Sequence, residues 1–334
     1  MAEVTQSASV AAAALAAGQL VALPTETVYG LGASIDHAKA VERVFQVKNR
    51  PNEHPLIVHV EADADLSHWA TRVPATATAL VEAFWPGPLT LVIPKSDNVP
   101  GSVTGGQNTV ALRSPDSPHF LEVLAELSRL TGAPAAIAAP SANLFGQVSP
   151  TTAEHVQDGL GSRLDPSDII LDGGPSEVGI ESTIVLCRDQ DVEVLRPGGI
   201  TEEDLAQIVT VTPSVHESVT SSDAQPRVSG SLESHYSPAA RVIVLEPEES
   251  IDDLATSQEV DLESLGIIAL ESETVKLGGA TELARPNNSE AYAAQLYAAL
   301  RKADDLGLRT VVAVTPPNVG IGVAIRDRLK RAAS

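Results

Sequence analysis

Between residues 8 and 140 the sequence repeatedly sets a segment of helical period before a short, mostly apolar run. SVAAAALAAG leads to QLVALP, DHAKAVERVFQVK to PLIVHV, ATATALVEAFWPG to LTLVIPK and then NTVALR, and SPHFLEVLAELSRLTG to AAIAAP. Short apolar runs without sustained alternation suit strands covered on both faces, and the intervening helices can supply the covers. Further strands are expected in DIILDGG, ESTIVLC and VEVLRPGG, followed by a helix opened by Thr201 with acids in its first turn. Some of these runs follow one another with no helix between them, so the expected fold is α/β with a mixed, twisted open sheet.

At 334 residues the chain exceeds one ordinary core, and at ~100–200 residues per domain two unequal domains are expected. The first spans residues 1–209. Residues 210–238 carry Ser, Pro and polar groups with no sustained period and end in His235-Tyr236-Ser237-Pro238, which reads as a linker or, given its length, a lid. Residues 239–334 begin with RVIVLEP and a helical stretch. LGIIAL, the long helix NSEAYAAQLYAALRKADDLG, TVVAVTP and GIGVAIRDRLKRAA follow, a smaller Rossmann-like α/β domain. Gly320-Ile321-Gly322 at a helix start is a weak hint of a dinucleotide fingerprint, because Ile325 takes the third glycine position and no ribose-binding acid follows.

Hydrophobic residues make up 43% of the chain and aromatic residues only 3%, so Ala, Val, Leu and Ile must fill the cores. The run VAAAALAAGQLVAL has no Lys or Arg before it and is interrupted by Gly18 and Gln19, so it reads as helix plus strand, not as a signal peptide. Cys187, the only cysteine, excludes an intrachain disulfide and a multi-cysteine metal site, fits a cytoplasmic location, and sits in a run that suits a core. A formal net charge of −22 argues against an anionic membrane surface and against stable nucleic-acid binding. It leaves room for a nucleotide site, since a cation ~4 Å from a phosphate outweighs surface charges beyond the ~8 Å screening length.

Sequence signatures of zinc enzymes, of nucleophile elbows and of Walker A loops are all missing. A nucleotide would be held by side chains and helix N-termini. LPTETVYGLG places Thr25, Glu26, Thr27 and Tyr29 directly after a strand, more polar groups than a turn needs, and Gly30 and Gly32 are expected to allow close backbone approach and unusual dihedrals. Lys48 and Arg50 flank Asn49 before Pro51, which favours an extended exit with both cations on one side. Pro140-Ser141-Ala142-Asn143 lies at a strand C-terminus, where open α/β sheets bind ligands. Ser149-Pro150-Thr151-Thr152 reads first as a helix cap. Thr109 and Arg113 share one face of their strand, opposite Val110 and Leu112; the arginine needs an anion there, which Glu26, Glu181 or a ligand carboxylate could supply. Arg196 is another isolated cation at a strand end.

Taken in order, PTETVYGLG, KNRPxxHPLIVHV, WPGPLTLV, NTVALR, APSAN, SPT, ESTIV, LRPGG and a terminal HYSP resemble the threonylcarbamoyl-adenylate synthases, in the long form with a YrdC-like catalytic domain and an appended C-terminal domain. The resemblance is dense over residues 8–208 and thinner from residue 230 on. It implies formation of threonylcarbamoyl-AMP and pyrophosphate from L-threonine, bicarbonate and ATP, with Mg2+ arriving with the nucleotide. A downstream tRNA-modifying transferase machinery would then use the intermediate.

By the same resemblance Thr27, His59, Arg113, Ala139 and Ser182 would hold threonine. Lys48, Arg50, His54, Thr109, Ser141, Asn143, Ser149, Arg196 and Tyr236 would surround ATP, with Lys48 and Arg50 as the catalytic cations. His54 departs from the asparagine of many relatives. The competing readings are an RNA-binding module using the same cations, disfavoured by the acidic balance, and a carbamoyltransferase-type maturation enzyme, which would cleave ATP without threonine.

Overall fold

The computed structural model describes residues 2–212, 226–230, 236–247, 264–273 and 279–334. Most of the 210–238 segment, His235 included, and the helical stretch expected after RVIVLEP lie outside the described residues.

The strands of the first part are β1 (Glu3–Thr5), β2 (Val21–Leu23), β3 (Gly30–Ser34), β4 (Ile57–His59), β5 (Leu89–Pro94), β6 (Thr109–Arg113), β7 (Ile137–Ala138), β8 (Ile169–Leu171), β9 (Thr183–Cys187), β10 (Val192–Arg196) and β11 (Val211–Thr212). They form an 11-stranded sheet in the order β1-β8-β2-β3-β7-β4-β6-β5-β9-β10-β11. The sheet is mixed as expected: β4 runs parallel to β6 and β5 to β9, whereas β2 with β3, β5 with β6 and β9 with β10 are antiparallel.

Helices α1 (Ala8–Ala16), α2 (Ala38–Lys48), α3 (Ala75–Phe84), α4 (Gly101–Thr104), α5 (Pro118–Thr131), α6 (Ala153–Leu160) and α7 (Glu202–Ala206) accompany this sheet. Local chemistry sets their ends. Ser117 caps α5 with Pro118 in its first turn and Gly132 closes it in the left-handed region, while Thr201 and Asp204 form a reciprocal capping box on α7. The alanine-rich α1 lays Ala11, Ala12 and Leu15 against Phe120, Val123, Leu124 and Leu127 of α5, a contact that small side chains allow to be close. The run VAAAALAAGQLVAL, read as helix plus strand, is core helix α1 followed by β2. Cys187 is buried, and burial pushes its thiol up to about 12.

The second part has a four-stranded sheet, all parallel, built from β12 (Arg241–Leu245), β13 (Leu265–Ile268), β14 (Thr281–Ala284) and β15 (Thr310–Val314) in the order β12-β15-β13-β14. It packs with α8 (Ser289–Asp305) and α9 (Ile321–Ala332). The two parts interlock: Arg301 on α8 donates to the Val148 carbonyl at 2.5 Å, and a side chain at Gly179, whose φ is +76°, would run into the backbone of α8 at Ala293 and Ala294.

Two local expectations need correction. Gly30 and Gly32 do not take positive φ; both lie inside β3. They are favoured by crowding, since a Cβ on Gly32 would sit 2.8 Å from Leu23 Cδ1 and 2.9 Å from Ile137 Cγ2, and one on Gly30 3.1 Å from Ala139 Cβ. The exit of α2 is a left-handed turn at Asn49, φ 52°, not an extended segment from Lys48 onward, and the two cations take separate partners, Lys48 the Ser141 and Asn143 carbonyls and Arg50 the Pro55 carbonyl and Ser229.

Candidate active site

β4 and β6 are parallel neighbours whose register sets His59 beside Arg113. On the same rim, the turn after β2 brings Thr27, the segment after β7 brings Ala139 and Ser141, and Ser182 precedes β9. Arg196 ends β10. These residues, with Arg50, Glu181, Ser229 and Tyr236, line one cavity that opens to solvent. Its polar groups converge although their positions are scattered along the chain.

At one end Arg113 donates through Nη1 to Thr27 Oγ1 at 2.9 Å and through Nε to the Gly87 carbonyl at 3.2 Å. Its Nη2 lies 2.7 Å from Glu26 Oε2, an ion pair lying off the hydrogen-bond axis. Of the anionic partners the strand position allowed, Glu26 is the one the fold supplies. Thr27 is itself fixed by Thr25, whose hydroxyl lies 2.8 Å from Thr27 Oγ1 and donates to the Val28 carbonyl at 2.6 Å. His59 is buried against Phe120, ring centroids 5.1 Å apart. Burial first, and then the Arg113 cation, push its imidazole down to about 3, so it is neutral near pH 7.

At the other end the cations gather. Arg196 donates to the Ser182 carbonyl at 2.8 Å, to Ser182 Oγ at 3.1 Å and to the Ser229 carbonyl at 3.0 Å. Arg50 donates to the Pro55 carbonyl at 3.1 Å and Ser229 Oγ at 3.2 Å, with its guanidinium 5.4 Å from the Phe145 ring centroid. Burial, offset in part by Tyr236 and reinforced by Arg196, lowers Arg50 to about 10, which still leaves it charged at neutral pH. Val228, next to Ser229, packs on Ile57, Val92 and Ile184 and so holds this piece of the linker on the open sheet face.

The fold brings Thr27, His59, Arg113, Ala139, Ser182, Arg50, Ser141, Arg196 and Tyr236 into the cavity wall. The remaining expected residues lie behind or beside it. Lys48 is buried and donates to the carbonyls of Ser141 and, at 2.5 Å, Asn143, thereby pinning the segment that carries Ser141. The Asn143 amide in turn donates to the Leu144 and Gln147 carbonyls at 2.8 Å each. Ser149 donates to Glu181 Oε1 at 2.6 Å. Thr109 faces an adjoining cleft with Pro55, Gln107 and Arg227, and His54 packs edge-on to Phe145 at 5.2 Å. Thr25, Glu181 and Ser229 also line the wall. Sequence reasoning singled out Thr25 only as part of the polar turn and Glu181 only as a candidate partner for Arg113; Ser229, in a segment without period, carried no signal.

Residues 13–198 match the protein family described as "Telomere recombination" (Sua5/YciO/YrdC), and residues 200–334 match the family described as "Threonylcarbamoyl-AMP synthase, C-terminal domain". The chain belongs to the threonylcarbamoyl-AMP synthase family. It is 39% identical to the threonylcarbamoyl-AMP synthase of Bacillus subtilis (strain 168) over 329 residues, covering 97% of this chain and 92% of that protein. Its identity to the threonylcarbamoyl-AMP synthase of Pyrococcus abyssi (strain GE5 / Orsay) is 36% over 335 residues, covering 97% and 93%.

The fold is similar to the crystal structure of P. abyssi Sua5 complexed with L-threonine, with a TM-score of 0.84, 34% identity, and coverage of 100% of this chain and 97% of that one. Membership in the family therefore extends over both sheets. Among the described residues no helix is long and apolar enough to cross a membrane.

Proposed function

We propose that the chain forms threonylcarbamoyl-AMP and pyrophosphate from L-threonine, bicarbonate and ATP, and passes the intermediate to a tRNA-modifying transferase machinery in the cytoplasm. The observation that carries this reading is the division of one cavity into an arginine-hydroxyl end, Arg113 with Thr27, and a cationic end, Arg50 with Arg196. The first end suits an α-carboxylate, which an arginine fork grips with two hydrogen bonds. The second suits phosphates.

In this reading Arg113 and Thr27 hold the threonine carboxylate, and Ala139, Ser182 and neutral His59 shape the space beside it. The threonine amine and bicarbonate condense with loss of water to a carbamate. A carbamate oxygen then attacks the α-phosphorus in line, and the bond to the β-phosphate oxygen breaks to release pyrophosphate. Arg50 and Arg196 stabilise charge on the phosphates, and loss of one such preorganised donor is worth roughly 2.7–4 kcal/mol of barrier, or ~10²–10³ in rate. Lys48 fixes Ser141 and Asn143 from behind; burial first, and then the Arg50 cation, lower its ammonium well below the usual lysine range. Ser141, Asn143, Ser149, Thr109, His54 and Tyr236 complete the nucleotide's surroundings.

Magnesium is expected to come with the substrate as MgATP. Among the described residues no group of three or more His, Cys, Asp or Glu side chains could hold a metal ion, and Glu181, the acid in the cavity wall, is already committed to Ser149, Tyr297 and Arg328. The test is pyrophosphate formation from ATP with threonine and bicarbonate added singly and together, serine serving as specificity control. Release only with both cosubstrates supports the reading; release independent of threonine overturns it.

A further inference from the structure

A carboxylate stands in the wall of the cavity assigned to a triphosphate, and that placement demands an explanation. Left unpaired, Glu181 would repel the nucleotide. Its Oε1 accepts from Ser149 at 2.6 Å, while Oε2 accepts from the Tyr297 hydroxyl at 2.8 Å and from Arg328 Nε at 2.8 Å. Tyr297 lies on α8 and Arg328 on α9, so both come from the second domain.

Arg328 is fully buried, with its other nitrogens on the Pro197 carbonyl at 2.9 Å and on Asp327 at 2.5 Å. Its guanidinium also lies 5.3 Å from the centroid of the Tyr236 ring, which stacks on Tyr297 at 5.6 Å. Arginine, two tyrosines and glutamate thus form one block spanning both domains and the end of the linker.

We propose that Arg328 is a positioning residue for the nucleotide: it neutralises Glu181 in the cavity wall, so that the second domain completes the phosphate end of the cavity. This rests on the assignment of that end to ATP. The groups facing Glu181 are Arg328 from α9, Tyr297 from α8, Tyr236 at the end of the linker, Arg196 from β10 and Ser149. Burial pushes its carboxyl up, but Arg328 and Arg196 outweigh burial and hold it at about 2. Without Arg328 the burial penalty is opposed only by Arg196 and Ser149, so Glu181 would titrate higher and, above that point, carry a less fully compensated charge.

The test compares Arg328→Met, Glu181→Gln and the double variant with the unaltered protein in the pyrophosphate assay. Arg328→Met should raise the KM for ATP roughly tenfold or more while changing the KM for threonine little, because the unpaired charge lies at the phosphate end. That defect should shrink as pH is lowered and Glu181 takes up a proton. Adding Glu181→Gln should restore the KM for ATP, since the charge is gone and Arg328 is no longer needed to cancel it.

An unchanged KM for ATP in Arg328→Met, or a defect that Glu181→Gln does not relieve, would overturn the proposal. If Arg328→Met fails to fold, the double variant and Glu181→Gln alone decide, with equal KM for ATP expected and a tenfold gap between them contradicting it. Absence of threonine-dependent pyrophosphate release in the unaltered protein would instead sink the functional reading.

Discussion

Arg113 and Thr27, 86 residues apart in sequence, meet at 2.9 Å through Nη1 and the threonine hydroxyl inside the cavity. The contact presets the fork: one nitrogen is held by Thr27, another by the Gly87 carbonyl, and the third lies 2.7 Å from Glu26. A ligand carboxylate entering here meets a guanidinium whose rotamer is already fixed, which lowers the ordering cost of binding.

Arg113→Lys should therefore raise the KM for threonine by roughly 10–100-fold, the ~1.5–3 kcal/mol carried by a charged hydrogen bond, with a much smaller change in the KM for ATP. Lysine keeps the charge beside buried Glu26, so folding should survive. Steady-state kinetics with each substrate varied in turn checks the split.

Lys48 and Arg50 should separate by phenotype. Arg50 faces the cavity and holds one backbone carbonyl, that of Pro55, so Arg50→Met should cost ~10²–10³ in turnover and less melting temperature than the loss of Lys48. Lys48 holds two backbone carbonyls of the segment that carries Ser141, so Lys48→Met should lower the melting temperature as well as turnover. Thermal unfolding beside the kinetics distinguishes them.

His59 gives a pH dependence with a defined sign. Its folded value of about 3 lies below its ordinary 6.5, so the unfolded chain binds more protons between those limits. The contribution is complete above pH 6.5 and is lost as pH falls towards 3, at up to ~1.4 kcal/mol per pH unit. His54 and His155, also shifted down by burial, add to the slope. Glu181, depressed from 4.5 to about 2, contributes only below 4.5. Denaturant unfolding between pH 6.5 and 5 should give a shallower slope for His59→Gln than for the unaltered protein.

Gly32 is a test of packing. Gly32→Ala points a methyl at Leu23 Cδ1 and Ile137 Cγ2, and the overpacking should cost ~1–3 kcal/mol in chemical denaturation. A neutral result would mean those two side-chain ends move aside freely.

The large α/β fold was legible because its strands are apolar and short and its helices carry caps; the elements that escaped are those with weak patterns. β1, β11 and β14 are polar or only two to four residues long, and their identity as strands comes from pairing partners, not from their own sequence. β3 was hidden by two glycines that read as a turn. In the site, Arg113 and Arg196 were readable because an isolated cation at a strand end needs an anion. Glu181 could not be recognised as a cross-domain hub, since its partners Tyr297 and Arg328 lie 116 and 147 residues away.

The most direct check on the central claim is a crystal structure of this protein with L-threonine and a non-hydrolysable ATP analogue bound together. The threonine carboxylate should lie within hydrogen-bond reach of Arg113 and Thr27, with phosphates against Arg50 and Arg196 in the same cavity. Density for either ligand elsewhere, with the cavity between Arg113 and Arg196 empty, would contradict the account.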